Sequence, residues 1–576
     1  MRVPRKAIVL AAGFGSRLSP LTLDCPKPLV PLHGKPMIAH VLLQLREWGV
    51  REVLVNIHHL AGEMVREVPE WCPEGMQLNF SFEPEILGTG GGLRRMRWFV
   101  AEEPLWVCNA DVVQNLNPLP LMEAYEREKP LACLWMVPDA GPRSVKVEKG
   151  RVVDFRGGGV TFSGLHLMSP KLWSYLPDQN FSSVITGYEC ALATGETILG
   201  VEVPGSVWAD VGTPDQLLEA AGDSVIFPGG KVEAGAQLTH AIVGPGARVR
   251  KGVRASGLIV SPHRGLSETE RGWLPEVEAV EVLSARGSDR GFRRIFFRGG
   301  TDLVMASGSA RPENARFAGH ARFLAKRGIR VPGIVESRKQ GAWLRVEDLG
   351  QIDLRDRLLN GSVTRNRTDM ANVLKMTARL HGLRVPAGVK LEAPFDAALF
   401  AWERTLFREQ FLLRHDSNAD AKGLESALTE VAKMLEDQPR VLLHRDLQCT
   451  NIMWVDREPA LIDFQGMRPG PAAYDLGSLL ADPYVGRTKE EQREALALYN
   501  RHAGRPVDEE VYALGAVQRL AQALGAYGRL GAIPETRRFL KYIPEAVRQM
   551  ELWAEDERLK KWAKAFLEGQ EEENPL

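Results

Sequence analysis

The sequence predicts an α/β protein of three parts: a doubly wound N-terminal domain, a short left-handed β-helix-like segment, and a helix-rich α+β domain. Three observations predict it. From Lys6 to about Val137, short β-branched runs alternate with helical patterns. From about Val225 to Val260, apolar residues recur every four to six positions among Gly and Pro. Beyond about Trp273, long amphipathic helical patterns dominate.

Composition sets the outer limits. A chain of 576 residues holds two to four domains at roughly 150 residues each. Hydrophobic residues make up 44% and charged residues 25%, an ordinary globular profile that excludes disorder and collagen-like repetition. The 73 Lys+Arg balance the 73 Asp+Glu, so there is no broad basic field and nucleic acid is not expected as the main ligand. Local phosphate sites remain open. No run approaches the ~18 consecutive apolar residues of a membrane span. Arg2, Arg5 and Lys6 before Ala7–Ala12 have the look of a short leader, but the apolar run is brief and reads instead as a buried first strand. Cys25, Cys72, Cys108, Cys133, Cys190 and Cys449 form no CxxC pair and read as unpaired thiols of a reducing cytoplasm.

In chain order, the strands of the first domain are AIVLAA, EVLVNI, LNFSFE, LWVCNAD and LACLWMV, with helices near Pro36 to Trp48 and Leu93 to Val100. Near-continuous apolar strands between helices indicate a largely parallel sheet covered on both faces. This domain spans residues 1–222. Val232, Leu238, Val243, Val249 and Val253 then mark a few hexapeptide-like rungs over 223–262, too short to stand alone. A polar stretch over 263–275 reads as a linker, and 276–576 as the last domain, with helices such as Asp369 to Leu383 and Glu425 to Leu435. His58 and His59, at a strand end, read as turn residues, and EGQEEENPL as a solvated tail.

Strand AIVLAA runs into Gly13, Phe14, Gly15, Ser16 and Arg17, with Lys27 ten residues beyond. Small residues here let backbone N–H groups approach phosphate oxygens, while Arg17 and Lys27 neutralise a triphosphate. The third Gly of GxGxxG is missing, so this is not the dinucleotide fingerprint. Asp111 ends LWVCNAD, and Asp210 follows Trp208 and Ala209. Two carboxylates at the carboxyl ends of strands can converge on one hard cation, which suits Mg²⁺. Asp210, just before Gly-Thr-Pro, reads equally as a helix cap when taken alone.

LAAGFGSRL, PKPLVP, LGTGGGL, NAD and WADVGTP together resemble the sugar-1-phosphate nucleotidyltransferase family over about residues 1–222. The resemblance implies that Gly13, Gly15, Arg17 and Lys27 hold the triphosphate, that Gly88 contacts the base, and that Asn109 belongs to the nucleotide site. It also implies that Asp111 and Asp210 hold Mg²⁺ and that Gly164 lies beside the sugar. The implied reaction is attack of a sugar-phosphate oxygen on the α-phosphorus, releasing pyrophosphate.

In the last domain, His444, Arg445 and Asp446 are followed by Asn451 and then by Asp463 in LIDFQ. Phosphoryl transfer needs a carboxylate to take the proton of the attacking hydroxyl, here Asp446, and oxygen ligands for Mg²⁺, here Asn451 and Asp463. With GSDRGFRRIFF, EDLG and YDLGSLL, the segment resembles aminoglycoside phosphotransferase-like kinases, most of all the anomeric kinases of N-acetylmuramate and N-acetylglucosamine. That resemblance implies ATP phosphates under Gly287 to Gly291, including Ser288, and an adenine hinge at Glu347 to Leu349. Leu303, Val304, Met305 and Ala306 stand where protein kinases carry VAIK, so the phosphate-clamping Lys is missing, and Arg293 or Arg294 is the candidate replacement.

A kinase that makes a sugar 1-phosphate and a transferase that consumes one are successive steps. The expectation is therefore a bifunctional cytoplasmic enzyme using ATP, UTP, Mg²⁺ and an amino sugar to make a UDP-amino sugar for peptidoglycan recycling, without nucleic-acid or membrane partners. One alternative is a choline kinase fused to a phosphocholine cytidylyltransferase, which would need an aromatic cage such as Phe395, Trp402 and Phe407. These rings also read as core. The other is a nucleotide-sensing module with inactive sites.

Overall fold

The computed structural model describes residues 3–274, 276–283, 290–307, 312–416 and 419–573. The chain divides into two compact units, Met1–Leu283 with Ile295–Gly300, and Ser284–Arg294 with Thr301–Leu576.

In the first unit, nine strands stand in the order Gln77–Phe82, Glu52–Ile57, Lys6–Leu10, Leu105–Asn109, Thr161–Met168, Ala132–Val137, Ile198–Glu202, Arg151–Asp154 and Lys146–Glu148. The first four run parallel, with Ile8 between Leu54 and Val107. Ala7, Ile8 and Val9 are all fully buried, so neither face of the central strand meets water. That is why the strand is apolar at consecutive positions and does not alternate. Thr161–Met168 corrects the expectation of a largely parallel sheet, because it runs antiparallel to both neighbours. The chain reaches it through the short strands Lys146–Glu148 and Arg151–Asp154 rather than through a crossover helix, and such a return path allows reversal.

The helix expected near Leu93 to Val100 starts earlier, at Gly88–Arg95, and gives way to a 3-10 turn at Arg97–Phe99. Glycines argue against a helix by propensity. Packing overrides that here, because a Cβ on Gly90 would stand 2.7 Å from Ser182 Oγ and 2.8 Å from the Ser183 carbonyl carbon.

Beyond the sheet, the chain coils in parallel rungs. Val225 pairs with Ile242, Lys231 with Arg248 and Gln237 with Arg254, each strand lying on its counterpart one coil later. Val243 and Val249 are buried in the coil's core, with Val232, Leu238 and Val253 packed on it. The polar stretch read as a linker holds two short helices, Pro262–Gly265 and Glu268–Trp273. Ser267 and Glu270 form a capping box on the second, and Arg264 grips the Asp24 carboxylate with two guanidinium nitrogens.

In the second unit, Asp302 to Ala306 pair antiparallel with Trp343–Glu347, which pairs in turn with Ile334–Arg338. The rest is mainly helical and centres on Glu509–Gly531. Glycines let other backbones approach this helix closely: a Cβ on Gly525 would stand 2.8 Å from the Leu406 carbonyl. Two ladders, Arg440–Leu443 with Arg468–Pro471 and Ile452–Val455 with Glu458–Leu461, frame the HRD loop. Among the described residues no helix is long and apolar enough to cross a membrane.

Candidate functional site

In the first unit the loop after Lys6–Leu10 carries the phosphate-cradle residues. Gly15 sits at φ +64°, and a Cβ there would stand 2.8 Å from Thr22 Cγ2 and 3.0 Å from Lys27 Cβ. Both the backbone and the space therefore require glycine. Gly13, by contrast, opens on free space. The Thr22 hydroxyl donates to the Gly15 carbonyl at 3.0 Å, and His59 Nε2 meets the Thr22 carbonyl at 2.7 Å. His59 thus does more than turn the chain, since it braces the loop.

Asp111 and Asp210 come together because Trp208–Asp210 pairs antiparallel with Val112–Gln114, placing Asp210 beside Val112. The Lys27 ammonium makes a close ion pair with Asp111 and lies 3.8 Å from Asp210 Oδ1, while Arg17 donates to Asp210 Oδ2 at 3.1 Å. Asp210 is thus a strand residue; the N-cap of the following helix is Thr213, which accepts from Gln216 N. The Arg17 guanidinium lies against the bare backbone of Gly212, where a Cβ would meet it at 2.5 Å. Gly164, at φ +84°, lies directly against the Asn109 amide. Gly88, at φ +70°, opens its helix with no room for a side chain: a Cβ would stand 2.5 Å from the Ser182 carbonyl oxygen.

Sequence reasoning missed two buried residues that join these parts. Asn56 Oδ1 accepts from Ala11 N at 2.7 Å, Asn56 Nδ2 donates to Glu83 Oε1 at 2.7 Å, and Glu83 Oε2 accepts from Leu87 N at 3.0 Å. The phosphate loop and the glycine-rich helix are thereby tied through one hydrogen-bond chain. The signal was present as a polar residue inside the apolar run EVLVNI and an acid at the end of the next strand.

In the second unit, His444 and Arg445 donate their backbone N–H groups to Asp475 at 2.7 and 2.9 Å. Arg445 takes φ +81°, a strained conformation that these bonds hold in place. His381 Nε2 lies 3.2 Å from Asp475, and its Nδ1 2.8 Å from the Tyr499 hydroxyl. Asn451 Nδ2 donates to the Asp446 carbonyl at 2.9 Å, which leaves its amide oxygen as an acceptor. Asp463 adopts φ +60° and accepts from Gln465 Nε2 at 2.5 Å. Burial would push the Asp446 carboxyl up, but Arg445, Arg519, His444 and Arg468 outweigh it and hold the group below the usual carboxylate range. Asp446 is therefore a carboxylate able to accept a proton.

Glu347 pairs with Arg330 and accepts from Gly333 N at 3.0 Å, while Leu349 is buried. Arg294, a candidate to replace the missing lysine, is 4% exposed and engaged with Asp348 at 2.6 and 3.2 Å and with the Gly350 carbonyl at 3.2 Å. Its charge is committed to that pair. Arg293 stands beside it on the strand Arg290–Phe297, and Ser288 lies outside the described residues. Phe395 and Phe407 are core residues, 1% and 0% exposed, with Phe395 packed on Phe400 and Tyr474; no cage forms from them.

Each site offers oxygen donors suited to a hard cation: two carboxylates in the first, an amide oxygen and a carboxylate in the second. Among the described residues no cluster of three or more His, Cys, Asp or Glu forms a metal cage.

The nucleotidyl transferase family model matches residues 6–154, and the phosphotransferase enzyme family model matches residues 282–514. The chain is 31% identical over 235 residues to N-acetylmuramate alpha-1-phosphate uridylyltransferase of Neisseria meningitidis, covering 37% of this chain and 96% of that protein. With the Caulobacter vibrioides protein of the same name it shares 29% over 238 residues, 38% of this chain and 96% of the other. Mannose-1-phosphate guanylyltransferase of Mycobacterium tuberculosis is 27% identical over 249 residues, 41% of this chain and 69% of that protein. The chain spans less than two thirds of several further guanyltransferases. It belongs to the nucleotidyl transferase family through its N-terminal part and carries a phosphotransferase enzyme family domain in its C-terminal part, an enzyme with two transferase chemistries on one chain.

Proposed function

We propose that the chain phosphorylates the anomeric hydroxyl of an N-acetylated amino sugar, N-acetylmuramate or N-acetylglucosamine, with ATP. It then transfers UMP from UTP to the sugar 1-phosphate, giving a UDP-amino sugar. The observation that carries this reading is the presence on one chain of an ionised Asp446 whose backbone carbonyl accepts from Asn451, and of a Lys27, Asp111 and Asp210 cluster next to a glycine-lined loop. The product of the first chemistry is the substrate of the second.

In the phosphotransferase half, Asp446 takes the proton of the anomeric hydroxyl as its oxygen attacks the γ-phosphorus, and ADP leaves. The Asn451 amide oxygen and Asp463 would hold Mg²⁺, as would Asp111 and Asp210 in the other half. When bound, the cation neutralises charge on phosphate oxygens. In the nucleotidyltransferase half, Arg17 and Lys27 draw the triphosphate against the Gly13–Gly15 loop, and the segment at Gly88 contacts the base. Gly164 and Asn109 line the sugar side. A phosphate oxygen of the sugar 1-phosphate then attacks the α-phosphorus of UTP in line, the bond to the β-phosphate oxygen breaks, and pyrophosphate leaves. No covalent intermediate is needed, since positioning and charge neutralisation supply the acceleration. Use of ATP and UTP fits the cytoplasm, and the product suits recycling of a cell-wall sugar into peptidoglycan precursors.

The test is a one-pot reaction of the purified chain with ATP, Mg²⁺ and each of UTP, CTP and GTP, over a panel of N-acetylmuramate, N-acetylglucosamine, mannose, galactose and choline, with products identified by mass. A UDP-amino sugar is expected, lost with Asp446→Asn unless sugar 1-phosphate is supplied. A GDP-sugar, or CDP-choline, would overturn the reading.

A further inference from the structure

We propose that Arg468 recognises a carboxylate on the acceptor, so that the phosphotransferase half selects a sugar acid over its uncharged counterpart. The proposal rests on the kinase reading above and narrows its substrate.

The starting point is a surplus of positive charge around Asp446. Arg445 lies 3.2 Å from Asp446 Oδ2 and Arg519 lies 3.4 Å from Oδ1, so one carboxylate already serves two guanidinium groups. Arg468 is a third cation whose charge acts on the same carboxylate. Its Nε donates to the Gly466 carbonyl at 3.3 Å, and Gly466 lies against Arg445, a Cβ built on it standing 3.8 Å from Arg445 Cδ. Among the described residues no acidic side chain comes within ion-pair distance of Arg468. The acid that acts on it most, Glu392, is itself paired with Arg316.

Of the other acids acting on Arg445, Asp463 is the carboxylate that the proposed function assigns to the cation, and Glu403 does not restore the balance. Glu403 is fully buried, accepts from the Tyr474 hydroxyl at 2.7 Å and from Gln518 Nε2 at 2.9 Å, and burial pushes its carboxyl up, toward the neutral form. Burial and the Arg445 charge together pull the Arg468 guanidinium below its ordinary range, against the opposing charges of Glu392 and Asp446. A half-buried guanidinium in that state favours a bidentate anion, a carboxylate or a phosphate.

Placement puts Arg468 where a carboxylate on the acceptor can meet it. Arg468 opens the strand Arg468–Pro471, whose register sets it opposite Leu443, next to the residues that position Asp446. The acceptor hydroxyl must lie at Asp446 to lose its proton, so an anionic group on the acceptor comes within reach of Arg468; the transferred phosphate is the other anion that approaches there, and the test separates the two. Of the two sugars in the proposed function, N-acetylmuramate bears a carboxylate on its lactyl ether, and N-acetylglucosamine bears none.

The test compares ATP-dependent phosphorylation of N-acetylmuramate, its neutral methyl ester and N-acetylglucosamine by the full chain. The acid is expected to exceed the ester in kcat/KM by at least tenfold. In Arg468→Gln the ratio of N-acetylmuramate to N-acetylglucosamine should fall at least tenfold, with partial rescue in Arg468→Lys. Equal use of acid and ester by the wild-type chain overturns the proposal without any variant. An equal loss on both sugars in Arg468→Gln also overturns it, because that pattern belongs to a residue holding the transferred phosphate. Failure of all three sugars while another acceptor is phosphorylated overturns the kinase reading itself.

Discussion

His381 and Asp475 are 94 residues apart in the chain, yet their side chains meet at 3.2 Å in the buried interior of the second unit. Asp475 uses its carboxylate to receive the His444 and Arg445 N–H groups, and His381, fixed by Tyr499, fixes Asp475 in turn. His381→Ala should lower kcat of sugar phosphorylation by about ten- to a hundredfold with little change in the KM for ATP, because the loop carrying Asp446 loses its support. His381→Gln should recover part of the loss. Steady-state kinetics decide it, with the nucleotidyltransferase rate of the same sample reporting that the chain is folded.

The glycine-rich helix gives a second prediction. Gly90→Ala would gain about 0.5–1 kcal/mol from helix propensity, but a methyl at 2.7 Å from Ser182 Oγ costs about 1–3 kcal/mol, so the clash wins. Nucleotide transfer should fall at least tenfold while sugar phosphorylation serves as the internal control. An unaltered transfer rate would show that the Ser182 segment can move aside.

A third concerns pH and the first unit. His166 is buried between Phe162 and Tyr188, with its pKa pulled down to about 3 by burial. The folded state keeps it neutral, whereas the unfolded chain takes up the proton below the ordinary value of 6.5. Stability should therefore hold above that pH and fall by about 1.4 kcal/mol per pH unit below it. Heat inactivation of nucleotide transfer should accelerate from pH 7 to pH 5, and His166→Leu should flatten the dependence.

The fourth concerns Asp446. Since its carboxyl is held below the usual range, it stays ionised through mildly acidic pH, and its stabilising pairing is lost only as pH falls through that depressed value. The pH profile of phosphorylation should show no acid limb from this group above pH 5. Arg519→Gln removes one of the stabilising charges and should move such a limb upward into the measured window.

Residues close in sequence were the ones whose arrangement could be read in advance. HRD with its following Asn, and the strand ends carrying Asp111 and Asp210, announce themselves because local spacing and strand periodicity place them. The start of the helix at Gly88 was hidden because its cause is a distant segment, Ser182–Ser183, pressed against backbone that only glycine can offer. The Asn56–Glu83 chain and the His381–Asp475 pair were hidden for the same reason. Arg294 looked like a spare cation beside a glycine-rich segment; only the tertiary fold brings Asp348 to it. Tertiary partners, unlike periodicity, leave no regular mark in one sequence.

The burial of the cysteines has a practical side. Burial pushes Cys25, Cys108 and Cys133 up to about 12, Cys449 well above its ordinary range, and Cys72 upward as well, so all five remain thiols at neutral pH. Cys190 alone is exposed, on the helix Val184–Ala193, whose first residue donates its N–H to the Thr89 hydroxyl of the glycine-rich helix. The unaltered chain is thus suited to attachment of one maleimide fluorophore, which would sit on an element tied to the proposed base site and could report nucleotide arrival in a stopped-flow trace.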